Sequence, residues 1–566
     1  MTDVAEKNSG HEVIAAQSGT ARESRRWIMR IGAAVLVPVL LLVLVEIGLK
    51  TANIGFPTSL LVPCTVKGQP AACYNLFFPA PFFPPGMIKS PQAYSIPTAK
   101  PPRTFRIFVL GESAAMGDPD PAYSFSRYLE VMLAERYPSM KFEVVNTGSV
   151  AINSHVLLPM ARDLAQHRPD LFILYSGNNE VVGPYGPGTV LTSSAMRLPI
   201  IRGSIYFRST RIGQLVTKLG TQKKQWTGME MFLDKQVPAS SASMSYVYSN
   251  FERNLRDTVE VARKAGARVI VSTVATNLRD CAPFASMHRE GLSQDDLRNW
   301  SALVQQGNDL EVARNYGEAL QRYMAAAKID DQYAEIEFRI ARCFGNLGDY
   351  DSAKQHYLRA RDLDTLRFRA DSKINDINRS AASIDGAELV DADAIFDSES
   401  QHGVTGNELI YEHVHLTPEG NYVLARAMFL QIASKLPSAN GRAFQAADVP
   451  SEAECERALA LTGYDRTRIA REMLQRLQSP PFTNQMNHNE QVWKLMFKAE
   501  GMNEAPDATA AQYQWAISQR PDDRPLHYNF GQFLFNFNPA ASATQLRLAQ
   551  PWDGFPIFLP DGTLIQ

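Results

Sequence analysis

Four short polar clusters, far apart in the chain, carry side chains able to do nucleophilic chemistry. Gly111-Glu112-Ser113 closes the apolar run Ile107 to Leu110, and Asn146 to Ala151 follows a second run that starts at Phe142. Gly177-Asn178-Asn179-Glu180 follows a third run from Leu171, and Tyr411 to Tyr422 holds Glu412, His413 and His415. A serine hydroxyl is a weak nucleophile until a neighbouring base takes its proton. A carboxylate three residues before His415 can orient that ring and stabilise its charged form, leaving the other ring nitrogen to face Ser113. Taken alone, Gly-x-Ser after a strand is only a tight turn in most proteins, so the weight lies in the combination. His413 and His415, two residues apart with no third partner, make a weak metal site, and neither a metal nor a cofactor is expected.

The elements that must bring these clusters together are legible in the periodicity. Each apolar run is short and continuous, the pattern of a buried strand, and each stops at a glycine or asparagine followed by small and polar residues. After the first turn, Phe125, Tyr128, Leu129, Met132 and Leu133 share one helical face; Val247, Phe251, Leu255, Val259 and Ala262 do the same before a fourth strand, Val269 to Val274. A fifth strand is predicted at Glu388 to Val390. Thr417 with Pro418 reads as a helix N-cap and first turn, continued by Val423, Leu424, Ala427 and Met428, so that His415 lies on the loop before a helix. Strand, polar turn, helix, repeated, predicts an α/β fold with a doubly wound parallel sheet whose loops gather at one edge, where such sheets bind ligands.

These residues resemble the SGNH (GDSL-type) hydrolases, over Phe105 to Asp280 and about Glu388 to Ser434, in four blocks that keep the family's order. The resemblance implies a flavodoxin-like sheet and an acyl-ester chemistry with Ser113 as nucleophile, His415 as base and Glu412 as its orienting carboxylate. It further implies an oxyanion site made by the amides of Ser113 and Ala151 and the side chain of Asn179. The chain departs from the family pattern at three places. Glu112 and Glu412 stand where aspartates are usual, each one methylene longer. Ala151, five residues after Asn146, stands where a backbone-donating glycine is usual; an alanine amide serves equally if the backbone there does not need positive φ, with Gly148 the runner-up.

The rest of the chain frames this domain. At 566 residues, 45% hydrophobic and a net charge of −2, it is long enough for two to four domains and gives no reason to expect nucleic acid. Residues 1–21 are small and polar and read as unstructured, within a cytoplasmic tail of 1–30. Arg22, Arg25, Arg26 and Arg30 precede Ile31 to Leu49, an apolar run with one charge, Glu46, which predicts an uncleaved single-pass transmembrane anchor over 31–49. The arginine excess places the N-terminus in the cytoplasm and all that follows Lys50 outside. The expected location is the cell inner membrane, with the catalytic domain on the extracytoplasmic (periplasmic) side. Residues 50–103, rich in proline and phenylalanine, read as an extended strap in which Cys64 and Cys73 could close a small loop. Cys281, Cys343 and Cys455 read as core residues.

Within the catalytic domain, expected as 104–280 and 376–440, an insertion at 281–375 has its own period. Tyr316, Ala319, Tyr323, Ala326 and Ile329 recur 34 residues later as Tyr350, Ala353, Tyr357, Ala360 and Leu363, similar to tetratricopeptide (TPR) repeats, which present a groove to a protein partner or serve as a spacer or lid. Residues 190–240 mix Arg202, Arg208, Arg211, Lys218, Lys223 and Lys224 with Ile212, Leu215, Val216 and Leu219, either an interfacial helix on anionic lipid or a solvated face. Residues 441–566 read as helical, with a divergent repeat at Ala511 to Gln550 and a small terminal hairpin. The expectation is therefore an anchored serine esterase acting on an acylated envelope glycan or lipid, the substrate being carried by analogy alone. The alternatives are an acyltransferase on a cell-surface polysaccharide and an inert hydrolase fold serving as a repeat scaffold.

Overall fold

The computed structural model describes residues 6–88, 92–192, 196–220, 225–384, 386–436, 445, 448–500 and 504–565. The chain divides into two compact units, Met1–Thr58 with Gly203–Gln222, and Ser59–Arg202 with Lys223–Gln566. Helix α1 runs Glu6–Thr51. Its segment Gly32–Thr51, 20 residues of mean hydropathy 2.6 with none of its length buried, is long and apolar enough to cross a membrane, as a signal sequence also would be. Residues 6–21, expected to be unstructured for want of periodicity, are helical and continue into that segment.

The stretch expected as an extended strap is instead folded. Strands β1 (Leu61–Val66), β2 (Gln69–Tyr74) and β3 (Ser95–Pro97) form an antiparallel sheet in that order, and Cys64 and Cys73 are joined by a disulfide. Phe78, Phe82, Phe83 and Met87 are buried, so the aromatic side chains serve as core rather than as linker.

The main sheet has five parallel strands: β4 (Thr104–Gly111), β5 (Lys141–Asn146), β6 (Leu171–Tyr175), β7 (Arg268–Ser272) and β8 (Ala387–Val390). Their spatial order is β5-β4-β6-β7-β8. Numbered within the sheet this is 2-1-3-4-5, the flavodoxin-like order, with its switch point between β4 and β6. Ile107, Phe108, Val109 and Leu110 are fully buried, as are Leu171, Phe172 and Ile173 beside them, which is what a parallel sheet covered on both faces demands. Gly111 pairs with Tyr175, and a Cβ at Gly111 would lie 2.2 Å from the Tyr175 carbonyl oxygen. Only a glycine lets the two strand ends approach this closely.

Helices α2 (Ser113–Met116) and α3 (Phe125–Arg136) follow β4, α4 (Ser154–Leu164) follows β5, and α5 (Leu198–Ser209), α6 (Arg211–Gly220) and α7 (Ser243–Lys264) separate β6 from β7. The periodic apolar residues of α3 and α7 are all buried, as their spacing predicts. Lys223 and Lys224 lie outside the described residues.

Between β7 and β8 come α8 (Gln294–Val312), α9 (Tyr316–Ile329), α10 (Ala334–Asn346), α11 (Tyr350–Leu363) and α12 (Ser372–Ala381). Helices α9 and α11 are both 14 residues long and begin 34 residues apart, each capped by an acidic or amide side chain, Asn315 or Asp349. The repeated Ala319, Tyr323 and Ala326, and Ala353, Tyr357 and Ala360, are buried in both helices, joined in α11 by Arg361 and Leu363. The aspartates that follow them also match: Asp330 accepts the Arg289 amide and Asp364 accepts those of Phe284 and Ala285. Helix α12 already packs on α7 and β7, so the sheet domain resumes earlier than the expected boundary at 376.

Beyond β8 lie α13 (Ala392–Glu399) and α14 (Pro418–Ala433), the latter capped by Thr417, whose hydroxyl accepts the Gly420 amide at 3.1 Å. The C-terminal region comprises α15 (Glu452–Leu459), α16 (Gly463–Leu477), α17 (His488–Glu500), α18 (Pro506–Gln519), α19 (Arg524–Leu534) and α20 (Pro539–Leu548). A terminal hairpin pairs Ile557–Phe558 with Leu564–Ile565. This region is not an appendage: Ala470, Met473, Leu477, Phe482 and Leu495 share one core with Phe284, Leu366 and Phe368.

Candidate active site

Ser113 opens the short helix α2 at the carboxyl end of β4, and Gly117, with φ +92°, closes that helix one turn later. His415 sits on the loop before α14, where an isolated bridge between Ile410 and Leu416 fixes the two ends of the Glu412-containing turn. Ser113 Oγ lies 2.8 Å from His415 Nε2 across 302 positions of sequence. On the other side of the ring, Nδ1 faces Glu412 Oε1 in a short contact. Glu412 also accepts the backbone amide of Val414 at 3.0 Å and those of His413 and His415. Burial alone would raise the Glu412 carboxyl, but the two imidazoles and their hydrogen bonds outweigh it and hold the group well below the usual carboxylate range. An ionised Glu412 can only accept, so Nδ1 carries the ring proton and Nε2 of the neutral ring is left to accept from Ser113.

The loops that should complete the site meet at the same sheet edge. Glu112 accepts the amides of Gly177 at 3.1 Å and Asn178 at 2.9 Å, tying the residue before Ser113 to the loop after β6. The Asn179 side chain donates one N–H to the Ile152 carbonyl at 3.1 Å, so the third and second clusters are joined. Gly148 lies against α2, where a Cβ would come within 2.6 Å of the Met116 nitrogen. Ala151 differs from expectation: its φ is +60°, the left-handed region in which alanine is strained by about 1–2 kcal/mol relative to glycine. The alanine thus holds a glycine-type backbone, and the condition under which the two residues are interchangeable is not met.

His413 is buried among Phe284, Phe368 and Phe482, and burial lowers its pKa. Its Nδ1 lies 2.7 Å from Glu412 Oε2, so Glu412, His413 and His415 place three potential metal-ligand atoms together. Both nitrogens of His415 are already engaged, Nδ1 by Glu412 and Nε2 by Ser113.

Two residues that the sequence reading did not single out touch this site. Asp118 Oδ2 is 3.1 Å from His415 Nε2, so Ser113 and Asp118 share one ring nitrogen. Arg476, on α16, reaches Asp118 with both terminal nitrogens, at 2.7 and 3.2 Å, and lies 3.6 Å from Glu412 Oε1. Burial opposes charge on Asp118, but the neighbouring His415 and Arg476 outweigh it and keep its carboxyl below the ordinary value. Asp118 follows Ser113 by five residues and could have been found as a nearby carboxylate; nothing local marks Arg476.

The Asp118–Arg476 pair has a measurable consequence. While the ring is neutral, Asp118 has no proton to accept from Nε2; once Nε2 is protonated, Asp118 competes to retain that proton. Arg476 occupies both Asp118 oxygens and limits the competition. Arg476→Ala is therefore expected to slow turnover of an acyl ester on the order of tenfold, and adding Asp118→Asn should recover most of the loss. A double-mutant cycle would show a coupling of about 1.4 kcal/mol, within the range for side chains of one ion-pair network.

Glu112 and Glu180 are buried carboxyls, and among the described residues neither forms an ion pair. Burial, and for Glu112 the neighbouring Glu180, raise their pKa values from 4.5 to about 8 and about 7 respectively. Between pH 4.5 and about 8 the unfolded chain releases a proton that folded Glu112 retains, so stability is full below that window and falls as pH rises through it. Thermal unfolding is expected at a lower temperature at pH 8 than at pH 5, with a shallower decline in Glu112→Gln.

No protein-family model matches the chain, and no curated protein matches it. Among solved structures, LAE5, an alpha/beta hydrolase from the metagenome of Lake Arreo, Spain, is 14% identical over 58% of this chain and 94% of its own, with a TM-score of 0.27. A lipase/acylhydrolase from Enterococcus faecalis is 8% identical over 59% and 99%, TM-score 0.28. The acetyl xylan esterase AlAXEase is 12% identical over 58% and 100%, TM-score 0.26. Likenesses this weak carry no argument for activity, which rests on the geometry above.

Proposed function

We propose that this chain is a serine esterase of the SGNH type, anchored by α1. The observation that carries the reading is the relay in which His415 joins Ser113 Oγ on one nitrogen and Glu412 on the other. In this reading Ser113 attacks an acyl carbonyl and His415 takes its proton, then returns it to the leaving alcohol while Glu412 holds the tautomer. The amides of Ser113 and Ala151 and the free N–H of Asn179 receive the oxyanion. Helices α8–α11 act as a tetratricopeptide-like insertion, supported by the matched caps and buried positions at period 34. The arginines before Ile31 support a cytoplasmic N-terminus, and the Cys64–Cys73 disulfide agrees with an oxidising, extracytoplasmic compartment for the rest.

The substrate class is an O-acyl ester, possible sources being an acylated envelope glycan or lipid. A panel of acetylated sugars, acetylated polysaccharides and lipid esters, followed by release of free acid, tests this. Turnover of none of them by folded, membrane-reconstituted protein would refute it. Transfer to a sugar hydroxyl is a second reading, favoured by the burial of the reacting pair: Ser113 and His415 expose only 8% and 6% of their surface. Acyl-sugar product formed with an added acceptor would select it over hydrolysis.

A further inference from the structure

Glu46 and Lys50 are the two charged residues inside the apolar segment of α1; they lie 3.5 Å apart, Lys50 mostly exposed, and the Glu46 carboxylate has further partners. It accepts the backbone amides of Arg211 at 3.0 Å and Ile212 at 3.1 Å, the first two residues of α6. Just beyond α1 the same helix is held again: Gln214 donates to the Phe56 carbonyl at 2.9 Å and accepts the Phe56 amide at 3.0 Å. Thr58 donates to the Ser209 carbonyl at 3.3 Å. Gly55 allows this approach, since a Cβ there would meet the Gln214 side chain at 2.4 Å.

Depth follows from helix geometry. Glu46 precedes the end of the apolar segment at Thr51 by five residues, or roughly 7.5 Å at 1.5 Å per residue. If that segment spans a bilayer, the start of α6 is fixed at the boundary between acyl chains and headgroups. A free carboxylate at that depth is costly, and two helix N-terminal amides are a fitting partner for it. The exposed surface agrees with such a placement. Tyr206 and Phe207 at the end of α5, and Leu215, Val216 and Leu219 on α6, are exposed, Leu219 to 90%. From Tyr206 to Gly220 there are three basic residues, Arg208, Arg211 and Lys218, and no acidic one.

We infer that the end of α5 and the whole of α6 form an amphipathic hairpin embedded in the interface of the bilayer, its apolar side chains among the acyl chains and its cations toward anionic headgroups. The occupant of this apolar face is lipid, and the inference rests on the reading of α1 as a membrane span. Such hairpins lie about 5–10 Å below the headgroup boundary.

The test uses the full chain in vesicles containing phosphatidylglycerol, with a nitroxide at Leu219→Cys. The free cysteines Cys281, Cys343 and Cys455 are buried and Cys64 and Cys73 are bonded, so the introduced thiol reacts selectively. Val39→Cys in α1 and Val312→Cys at the exposed end of α8 serve as references. The expected result is that the Leu219 label relaxes with oxygen rather than with a water-soluble nickel chelate, as Val39 does, at shallower depth. Chelate access at Leu219 equal to that at Val312, with Val39 still in lipid, would overturn the hairpin and leave the span standing. Chelate access at both Leu219 and Val39 would overturn the span itself. Spin–spin broadening at Leu219 without oxygen access would assign the face to a second copy and overturn the inference.

Discussion

Ser113→Ala is expected to lower kcat for ester cleavage by about 10⁴-fold or more, with the fold unchanged. In the proposed reaction the hydroxyl forms the acyl-enzyme, and its removal leaves His415 Nε2 facing Asp118. The structural cost is small, because Ser113 occupies the first position of a short helix and alanine is a good helix former. His415→Ala should match it within about tenfold, since members of such a relay act as a unit. Far-ultraviolet circular dichroism and the unfolding temperature would check that both variants are folded; wild-type turnover by either would exclude the relay.

The second large effect is expected at Glu412. Glu412→Gln should cost about 10³–10⁴ in kcat, mainly by the wrong tautomer: an amide presents an N–H to Nδ1, which then turns acceptor and puts its proton on Nε2. A ring protonated at Nε2 cannot take the proton of Ser113. This substitution also disturbs the turn, because Glu412 accepts the amides of His413, Val414 and His415. The discriminating measurement is therefore kcat on protein shown by calorimetry to remain folded, compared with Glu112→Gln, which lies one residue from the nucleophile but does not touch His415. A near-wild-type Glu412→Gln would remove Glu412 from the relay.

The sheet was legible because its strands are buried on both sides. Ile107 to Leu110 and Leu171 to Tyr175 must be continuously apolar, and their ends are marked by Gly111 and Gly177. The contact of Ser113 with His415, and of His415 with Glu412, was legible because the three residues fall in clusters of recognisable order. The β1–β3 sheet was not, since Pro63 and Pro70 interrupt its strands and proline argues against a strand in most settings. The helical start of α1 before residue 21 carries no amphipathic pattern to reveal it. Arg476 was out of reach for a different reason: its bond to Asp118 spans 358 positions and depends on how α16 packs, which no local pattern encodes. Ala151 lies on the loop after β5 with φ +60°, a backbone state that residue type does not announce.

The central claim is that Ser113 is an activated nucleophile. Incubation of the folded protein with a fluorophosphonate, followed by intact mass and peptide mapping, tests this most directly. The account predicts one adduct, on Ser113, lost in Ser113→Ala and strongly slowed in His415→Ala. An unlabelled Ser113 in folded protein, or an adduct on another serine that abolishes ester turnover, would contradict it.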